Sequence, residues 1–524
     1  MAALSAGRGR RGTARALAGC AACAALLFAS CATGAPPAGK AGLVQAAPAG
    51  SASVAAGEAR PADRRPRQSP YLLASLASIE RERLASGVVL LARRLPGRGV
   101  AAAELLLLRD GSTPSGKDGV EALALSLAAR GGRLPSGGRA DLPALVRAAG
   151  GSLELKALSE DALALELAAP LDRLPALLEA LAASVAAPSF EEADFVAAMR
   201  DLRAARLAAE ADPARVAAEG LRTEAYRGSP YARPPFGTAE SLAALRLEDA
   251  AAYWREAVGA ERVALVVAGD LGAAELASRV GPALAALPRK GGAAGLLPEP
   301  GSAPAIRSRP ESAALASARS PAPRAPLSAE PPSPAARAHL RAAFPAPPPS
   351  SPDYAALSLA LVMLDDLLKE ELLGEKALAG EAAAWLAAAA APSGFLAAEG
   401  AASAAKARAG MERALAALAS GECAAIADPA GGRAPFAESL DAYRARALVR
   451  LFGREGSAAA VAAGMARDLA SGGDGTGPAR LADGLAAVGP ADLERVVREY
   501  LDPRRLAWFV VAPKSDPAGA GKTP

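Results

Sequence analysis

Gly119-Val-Glu-Ala-Leu-Ala-Leu-Ser-Leu-Ala-Ala-Arg-Gly-Gly132 is the stretch on which the fold turns. Ala122, Leu125, Ser126 and Ala129 recur at helical spacing, which predicts a helix with one buried face. An apolar run, Ala101 to Leu108, and a turn-like Arg109-Asp-Gly-Ser112 come before it. The order is therefore strand, tight turn, helix. Upstream, Gly87 to Arg93 and Val100 to Leu108 read as two strands joined by a Pro-Gly-Arg-Gly turn. Downstream, Ala162, Ala164 and Glu166 alternate with leucines, the pattern of a half-buried strand. Leu171 to Ala186 reads as a helix, and Pro188-Ser-Phe-Glu-Glu192 opens a longer one with acids in its first turn. Asp212-Pro213 ends it.

An internal repeat extends this unit to the rest of the chain. Asp249 to Val267 lies ungapped on Asp492 to Val510. Asp249/Asp492, Arg255/Arg498, Glu256/Glu499, Arg262/Arg505, Ala264/Ala507 and Val267/Val510 are identical, and Val258/Leu501, Val263/Leu506 and Val266/Phe509 stay apolar. Each copy reads as an acid-started helix, a short turn and a closing apolar strand. A match at domain spacing predicts a duplicated α/β unit. Between the copies, roughly Lys290 to Ala335 is rich in Pro, Ala, Ser and Arg and reads as a linker. The second half then opens with His339-Leu-Arg-Ala-Ala-Phe344 as a strand and a helix from about Asp353 to Leu373. Phe395 to Ala402 reads as a further strand.

Composition narrows the chemistry. The 524 residues contain one histidine, His339, so a catalytic zinc site with two histidines is excluded by arithmetic. Of four cysteines, Cys20, Cys23 and Cys31 share one N-terminal apolar segment and only Cys423 lies in the body. Neither a disulfide framework nor a cysteine-rich metal site is available. Net charge is +4 with both signs interspersed, and without basic runs interleaved with aromatics nucleic acid is not an expected partner. Hydrophobic residues make up 52% and aromatics 4%, which predicts aliphatic, largely helical cores.

Other patterns fall away on their contexts. Ser403-Ala-Ala-Lys406 matches an acyl-enzyme pattern but lacks its companions and lies in an Ala-rich helical stretch. Gly472-Gly-Asp-Gly-Thr-Gly477 follows no strand, and Gly521-Lys-Thr523 has Asp516 where a phosphate loop needs glycine. A lone His339 at a strand start reads as structural. Glu191-Glu192, Asp365-Asp366 and Glu370-Glu371 read as solvated helix faces.

The strand, Asp-Gly-Ser turn and Gly-started helix resemble the opening of M16 metallopeptidase domains (insulinase, pitrilysin, mitochondrial processing peptidase). Asp212-Pro213 followed by Ser229-Pro-Tyr-Ala-Arg-Pro-Pro-Phe-Gly-Thr238, and the closing Arg262 to Asp270, are similar to later M16 segments. The likeness spans about Ile79 to Pro513. In that family the helix carries His-x-x-Glu-His, two imidazoles one turn apart with a carboxylate between them to deprotonate zinc-bound water. Laid onto this chain, the first His falls on Ala122, the Glu on Leu125 and the second His on Ser126. The third ligand falls on Ala205, with Glu210 the nearest acid. The Arg and Tyr that the second half contributes fall on Leu373 (or Gly374) and Gly380. The resemblance thus implies an α+β fold of two homologous halves, each an antiparallel sheet flanked by helices, and a peptidase fold without zinc.

The termini carry a separate expectation. Met1 to Arg15 is basic and Ala16 to Ser30 apolar, ending Leu27-Phe-Ala-Ser-Cys31, which is similar to a bacterial lipobox with Cys31 as the acylated residue. Leu17-Ala-Gly-Cys20 fits the box but has no apolar core before it. An ordinary cleaved signal is the plainer alternative. Ala32 after the anchor implies the outer membrane by resemblance. The expected layout is a signal peptide at 1–30, a tether at 31–78, an M16-like domain at 79–289, a linker at 290–335, a second M16-like domain at 336–513 and a tail at 514–524. The expected function is a non-catalytic periplasmic lipoprotein partnering a metal-bearing M16 subunit. A standalone protein that takes up extended peptides is the alternative.

Overall fold

In the computed structural model, the described residues are Pro70, Ala74 and 78–513, except 110–112, 134–137, 291–326, 330–335, 375, 388, 390–392 and 427–431. Cys31, the signal and tether, most of the linker and the tail lie outside them.

The first half contains β1 (Ile79–Arg83), β2 (Val89–Arg94), β3 (Val100–Leu108), α1 (Val120–Arg130), α2 (Leu142–Ala148), β4 (Ser152–Ser159), β5 (Ala162–Pro170), α3 (Leu174–Ala186) and α4 (Glu192–Glu210). It continues with α5 (Pro213–Ala225), α6 (Ala239–Ala244), α7 (Leu247–Ala257), β6 (Val263–Gly269) and α8 (Ala273–Leu284). Its sheet runs β1-β2-β6-β3-β5-β4. All neighbours are antiparallel except β2 and β6, which run parallel.

The second half contains β7 (Leu327–Ala329), β8 (Ala338–Pro345), α9 (Pro352–Leu372), β9 (Glu381–Ala387), β10 (Ser393–Ala401), α10 (Ala404–Ala419), α11 (Phe436–Gly453), α12 (Ala458–Ala470), α13 (Gly477–Ala487), α14 (Pro490–Tyr500) and β11 (Ala507–Val511). Its sheet runs β9-β10-β8-β11-β7, antiparallel apart from the parallel β11–β7 pair. Leu327–Ala329, expected as linker, is thus an edge strand of this sheet.

The architecture is α+β with two main sheets, as the resemblance implies. Strand alternation sends odd-numbered residues of β3 and β5 (Leu105, Leu107, Leu163, Leu165) into a core with α1, α3, α4, α7 and α8. A matching core under the second sheet takes Leu340 and Phe344 of β8 with α9, α10, α11 and α14. The repeat folds alike in its two copies. Asp249 Oδ2 accepts the Arg246 backbone N–H at 2.9 Å to start α7, and Asp492 Oδ2 accepts that of Gly489 at 2.9 Å to start α14. Arg262 Nη1 donates to Ala257 O at 2.9 Å and Arg505 Nη1 to Glu499 O at 2.8 Å. Each arginine answers carbonyls left open at the end of the preceding helix. The shared Asp and Arg are therefore the start and stop signals of one folding unit.

One feature differs from two self-contained halves. The opposite face of each sheet is covered by a helix from the other half. Val461, Met465, Ala466 and Leu469 of α12 pack on Val89, Leu91, Ala102, Leu106, Ala164 and Val266 of the first sheet. Ala217 and Leu221 of α5 pack on Ala343, Phe509 and Val511 of the second. Gly220 belongs to this contact, since a Cβ there would sit 2.1 Å from the Phe509 ring. Tyr226, just beyond α5, donates to Ser393 Oγ at 2.8 Å, and both are buried. Each half would expose an apolar sheet face alone, so the halves stabilise one another.

Candidate functional site

Helix α1 begins where two backbone segments touch. Gly119 precedes it with φ 89°, and a Cβ there would lie 3.0 Å from the Phe236 and Gly237 backbone. Gly237, at φ 76°, faces back, with its Cβ position 2.6 Å from Asp118 O. Only glycine allows both the left-handed backbone and this approach. Around the contact, Ser241 Oγ donates to Asp118 O at 2.9 Å, and Arg233 donates to the Asp118 carboxylate and to Thr113 O and Pro114 O. The Gly-started helix and the Pro-Tyr…Gly-Thr segment, 100-odd residues apart in the chain, thus form one junction.

The helix then presents its motif positions inward. Ala122 and Leu125 are fully buried and Ser126 is half-buried. α4 packs beside α1, and Arg130 of α1 pairs with Asp201 of α4. Ala205, also half-buried, falls on the helical repeat of Ala198, Leu202 and Ala209, the residues that α4 buries. So the positions onto which the M16 pattern lays three metal ligands (Ala122, Ser126, Ala205) and a base (Leu125) lie on two packed helices. Two methyls, an isobutyl and one hydroxyl offer no zinc donor set. Glu210, the nearest acid, accepts from Arg206 Nε at 2.8 Å, and the same guanidinium reaches Glu219 at 2.7 Å. Among the described residues, no three His, Cys, Asp or Glu side chains gather as a metal site. Zinc does not fit here.

The carboxylate that α1 does bury is Glu121, which the spacing argument overlooked. Arg109 Nε donates to Glu121 Oε2 at 2.7 Å, Tyr253 Oη donates to Oε1 at 2.9 Å, and Arg262 Nη2 stands 3.6 Å from Oε1. Arg262 also donates to Leu108 O at 2.8 Å and to Tyr253 Oη at 3.0 Å. Burial pulls the Arg109 guanidinium down, but the adjacent Glu121 more than offsets this, and the net shift is upward. A carboxylate held by two guanidiniums and a phenol is an anchor rather than a free base. The repeat's Arg262/Arg505 identity was the signal that could have exposed it.

Next to this anchor lies a second polar group. Tyr231 donates to Asp161, Arg109 Nη1 donates to Glu160 O at 3.3 Å, and Arg222 approaches the Glu160 carboxylate at 3.8 Å. Burial raises the Glu160 carboxyl, with Arg222 and Arg109 opposing. Tyr226 and Tyr231 meet edge to face at 5.4 Å, carrying the network to the boundary between halves.

Leu373 caps the C-terminus of α9 and packs against the second core, and exposed Gly380 leads into β9, donating its N–H to Glu399 O at 2.8 Å. Neither side chain can bind an oxyanion. Ser403 stands at the N-cap of α10 with Lys406 in its first turn. His339 lies in β8, 84% covered, with Nδ1 4.0 Å from Glu399. Asp365 and Asp366 are not the solvated pair that their spacing suggests. Arg450 bridges both at 2.8 Å and 3.0 Å, while Glu371 is buried among Lys376, Arg413 and Arg433.

Comparison with known proteins agrees with this geometry. The family described as "Peptidase M16 inactive domain" matches residues 244–420. Three solved structures share the fold at low identity. A protease from Helicobacter pylori aligns at TM-score 0.66 and 16% identity, covering 83% of this chain and 99% of its own. A peptidase M16 inactive domain from Pseudomonas fluorescens gives 0.64 and 16%, covering 83% and 98%. A chain of Candida albicans complex III2, with Inz-5 bound, gives 0.62 and 15%, covering 83% and 96%. No curated protein sequence matches. The chain has the M16 peptidase fold, and its residues 244–420, which run from the end of α6 in the first half to the end of α10 in the second, are similar to the family's inactive domain.

Proposed function

We propose that this chain is the non-catalytic subunit of a two-chain M16 zinc peptidase, held at the periplasmic side of the outer membrane by a lipid on Cys31. One observation supports this above the others: an M16 fold retains the α1–α4 packing while Ala122, Ser126 and Ala205 stand where the family pattern has ligands and Leu125 where it has the base. A fold kept without its chemistry is explained if its surfaces serve an active partner. The metal, the base and the substrate-binding Arg and Tyr then come from the partner, and this chain contributes wall and contacts.

The test is co-expression with a His-x-x-Glu-His homologue from the neighbouring gene. A one-to-one complex with an interface above roughly 1,000 Å² is expected. Cleavage should depend on the partner's motif and rise in the presence of this chain. In the same cells, Cys31→Ser should shift the protein from membrane to soluble fractions. No association, with the homologue equally active alone, ends this reading.

A second reading has its own support. Among the described residues, β4 and β9 are edge strands with one unpaired side each, a geometry to which an extended peptide can add. A peptide-binding protein that needs no partner follows, and peptide affinity of the isolated chain distinguishes it.

A further inference from the structure

Strands β3, β5 and β4 set three carboxylates in a row on the sheet face that α12 covers. Glu104 lies directly across from Glu166, and Glu166 directly across from Glu154. Like charges facing one another across a sheet repel. One cation answers all three: Lys156 Nζ lies 2.8 Å from Glu104 Oε1 and also contacts Glu166. Lys156 and Glu166 each keep 20% side-chain exposure, whereas Glu104 keeps none.

The helix above supplies no compensation. α12 turns Val461, Ala462, Met465, Ala466 and Leu469 onto the sheet. Its only charged residues are Arg467 and Asp468, near its C-terminal end. Asp468 accepts from the backbone of Gly475 at 2.8 Å and Gly477 at 3.1 Å and pairs with Arg480 at 2.9 Å. On the remaining neighbour, β6, Ala264, Val266 and Ala268 pack in the same cluster, and the strand has no titratable residue. Lys156, Glu166 and Glu154 are thus the ionisable groups that Glu104 faces. Glycines flank α12, Gly456 before it and Gly472-Gly473 after it.

We propose that Glu104 is a proton-operated latch between the halves: α12 docks on the first sheet while Glu104 holds a proton, and is released as that proton leaves. The docked helix removes water from Glu104, so ionisation there leaves two carboxylates and one ammonium under an apolar lid. Undocking lets water solvate the new charge.

The sign follows from proton counting. Burial, with Glu166 adding and Lys156 opposing, pushes Glu104 up to about 8 from an ordinary 4.5. Between these values the docked form holds a proton that the undocked form has lost. Docking is therefore complete below the ordinary value and weakens as pH rises to about 8. The slope for one proton is about ten-fold per pH unit.

Amide hydrogen exchange on the full chain tests this, with each rate corrected for intrinsic chemistry. The opening equilibrium of α12 amides is expected to rise about fifty-fold between pH 6 and 8. Amides of α3, in the first core but away from this face, should stay level. Glu104→Gln keeps the shape and cannot ionise, so its α12 profile should be flat. Lys156→Gln removes the opposing charge, so the rise should extend beyond pH 8. A flat wild-type profile overturns the latch. So does an unchanged slope in Glu104→Gln, or an equal slope in α3 and α12.

Discussion

Replacing Glu121 by alanine tests whether the centre of the degenerate site is an anchor. Its carboxylate is 2% exposed, and its two cationic neighbours, Arg262 and Arg109, have side chains 2% and 10% exposed. Without it, Arg109 loses its carboxylate partner at 2.7 Å and Tyr253 the acceptor at 2.9 Å. Breaking a buried ion pair from one side costs about 3–5 kcal/mol, because the remaining charge stays out of water. For a unit the size of one half, each kcal/mol lowers Tm by about 2–4 °C, so Glu121→Ala should melt roughly 6–20 °C below wild type. Glu121→Gln keeps the hydrogen bonds without the charge and should fall between. Arg109→Leu with Glu121→Leu removes the closer pair at once and should recover part of the loss, the buried Arg262 charge accounting for the remainder. Calorimetry on the four proteins measures this. A Glu121→Ala melt within about 2 °C of wild type would refute the anchor and reopen Glu121 as a reactive carboxylate.

Two further outcomes follow from the same geometry. Reinstating the motif with Ala122→His, Leu125→Glu and Ser126→His should yield no stoichiometric zinc by elemental analysis, because Ala205 still supplies no third ligand. The imidazole forced into the fully buried Ala122 position should also lower stability by about 1–3 kcal/mol through overpacking, and the carboxyl buried at Leu125 should add to the loss, read from denaturant midpoints. His339 is shifted below its ordinary 6.5 by burial, with Asp212 opposing and Arg341 adding. The unfolded chain then takes up a proton that the folded chain refuses, so stability holds above 6.5 and falls as pH drops toward the folded value. The denaturant midpoint should decline in that interval for wild type, and His339→Gln should remove the part of the decline due to this group.

Much of this molecule was legible as sequence because the signals are local. Asp249, Asp492, Arg262 and Arg505 recur because each helix of the repeated unit needs a first-turn acceptor and a last-turn donor, whatever surrounds it. The strand alternation in β5 and the Asp212-Pro213 boundary are equally local: Asp212 caps α5 and accepts from Ala214 at 3.0 Å, and Pro213 lacks the N–H that a first turn leaves unused. That a two-histidine motif cannot be filled needed no coordinates either, since the chain has one histidine. Three things were decided only in three dimensions. Glu381-Ala-Ala-Ala-Trp-Leu-Ala387 has the composition of a helix, yet it is a strand, because pairing with β10 and burial of Ala382 outweigh a propensity worth tenths of a kcal/mol per residue. Glu121 and Glu104 look like ordinary surface acids in the chain, and become buried only through Arg262, 141 positions from Glu121, and through the strands beside Glu104. The exchange of α5 and α12 between sheets is invisible to periodicity. A helix's apolar stripe records that a partner exists and not which sheet it covers, and that choice belongs to the packing of both halves together.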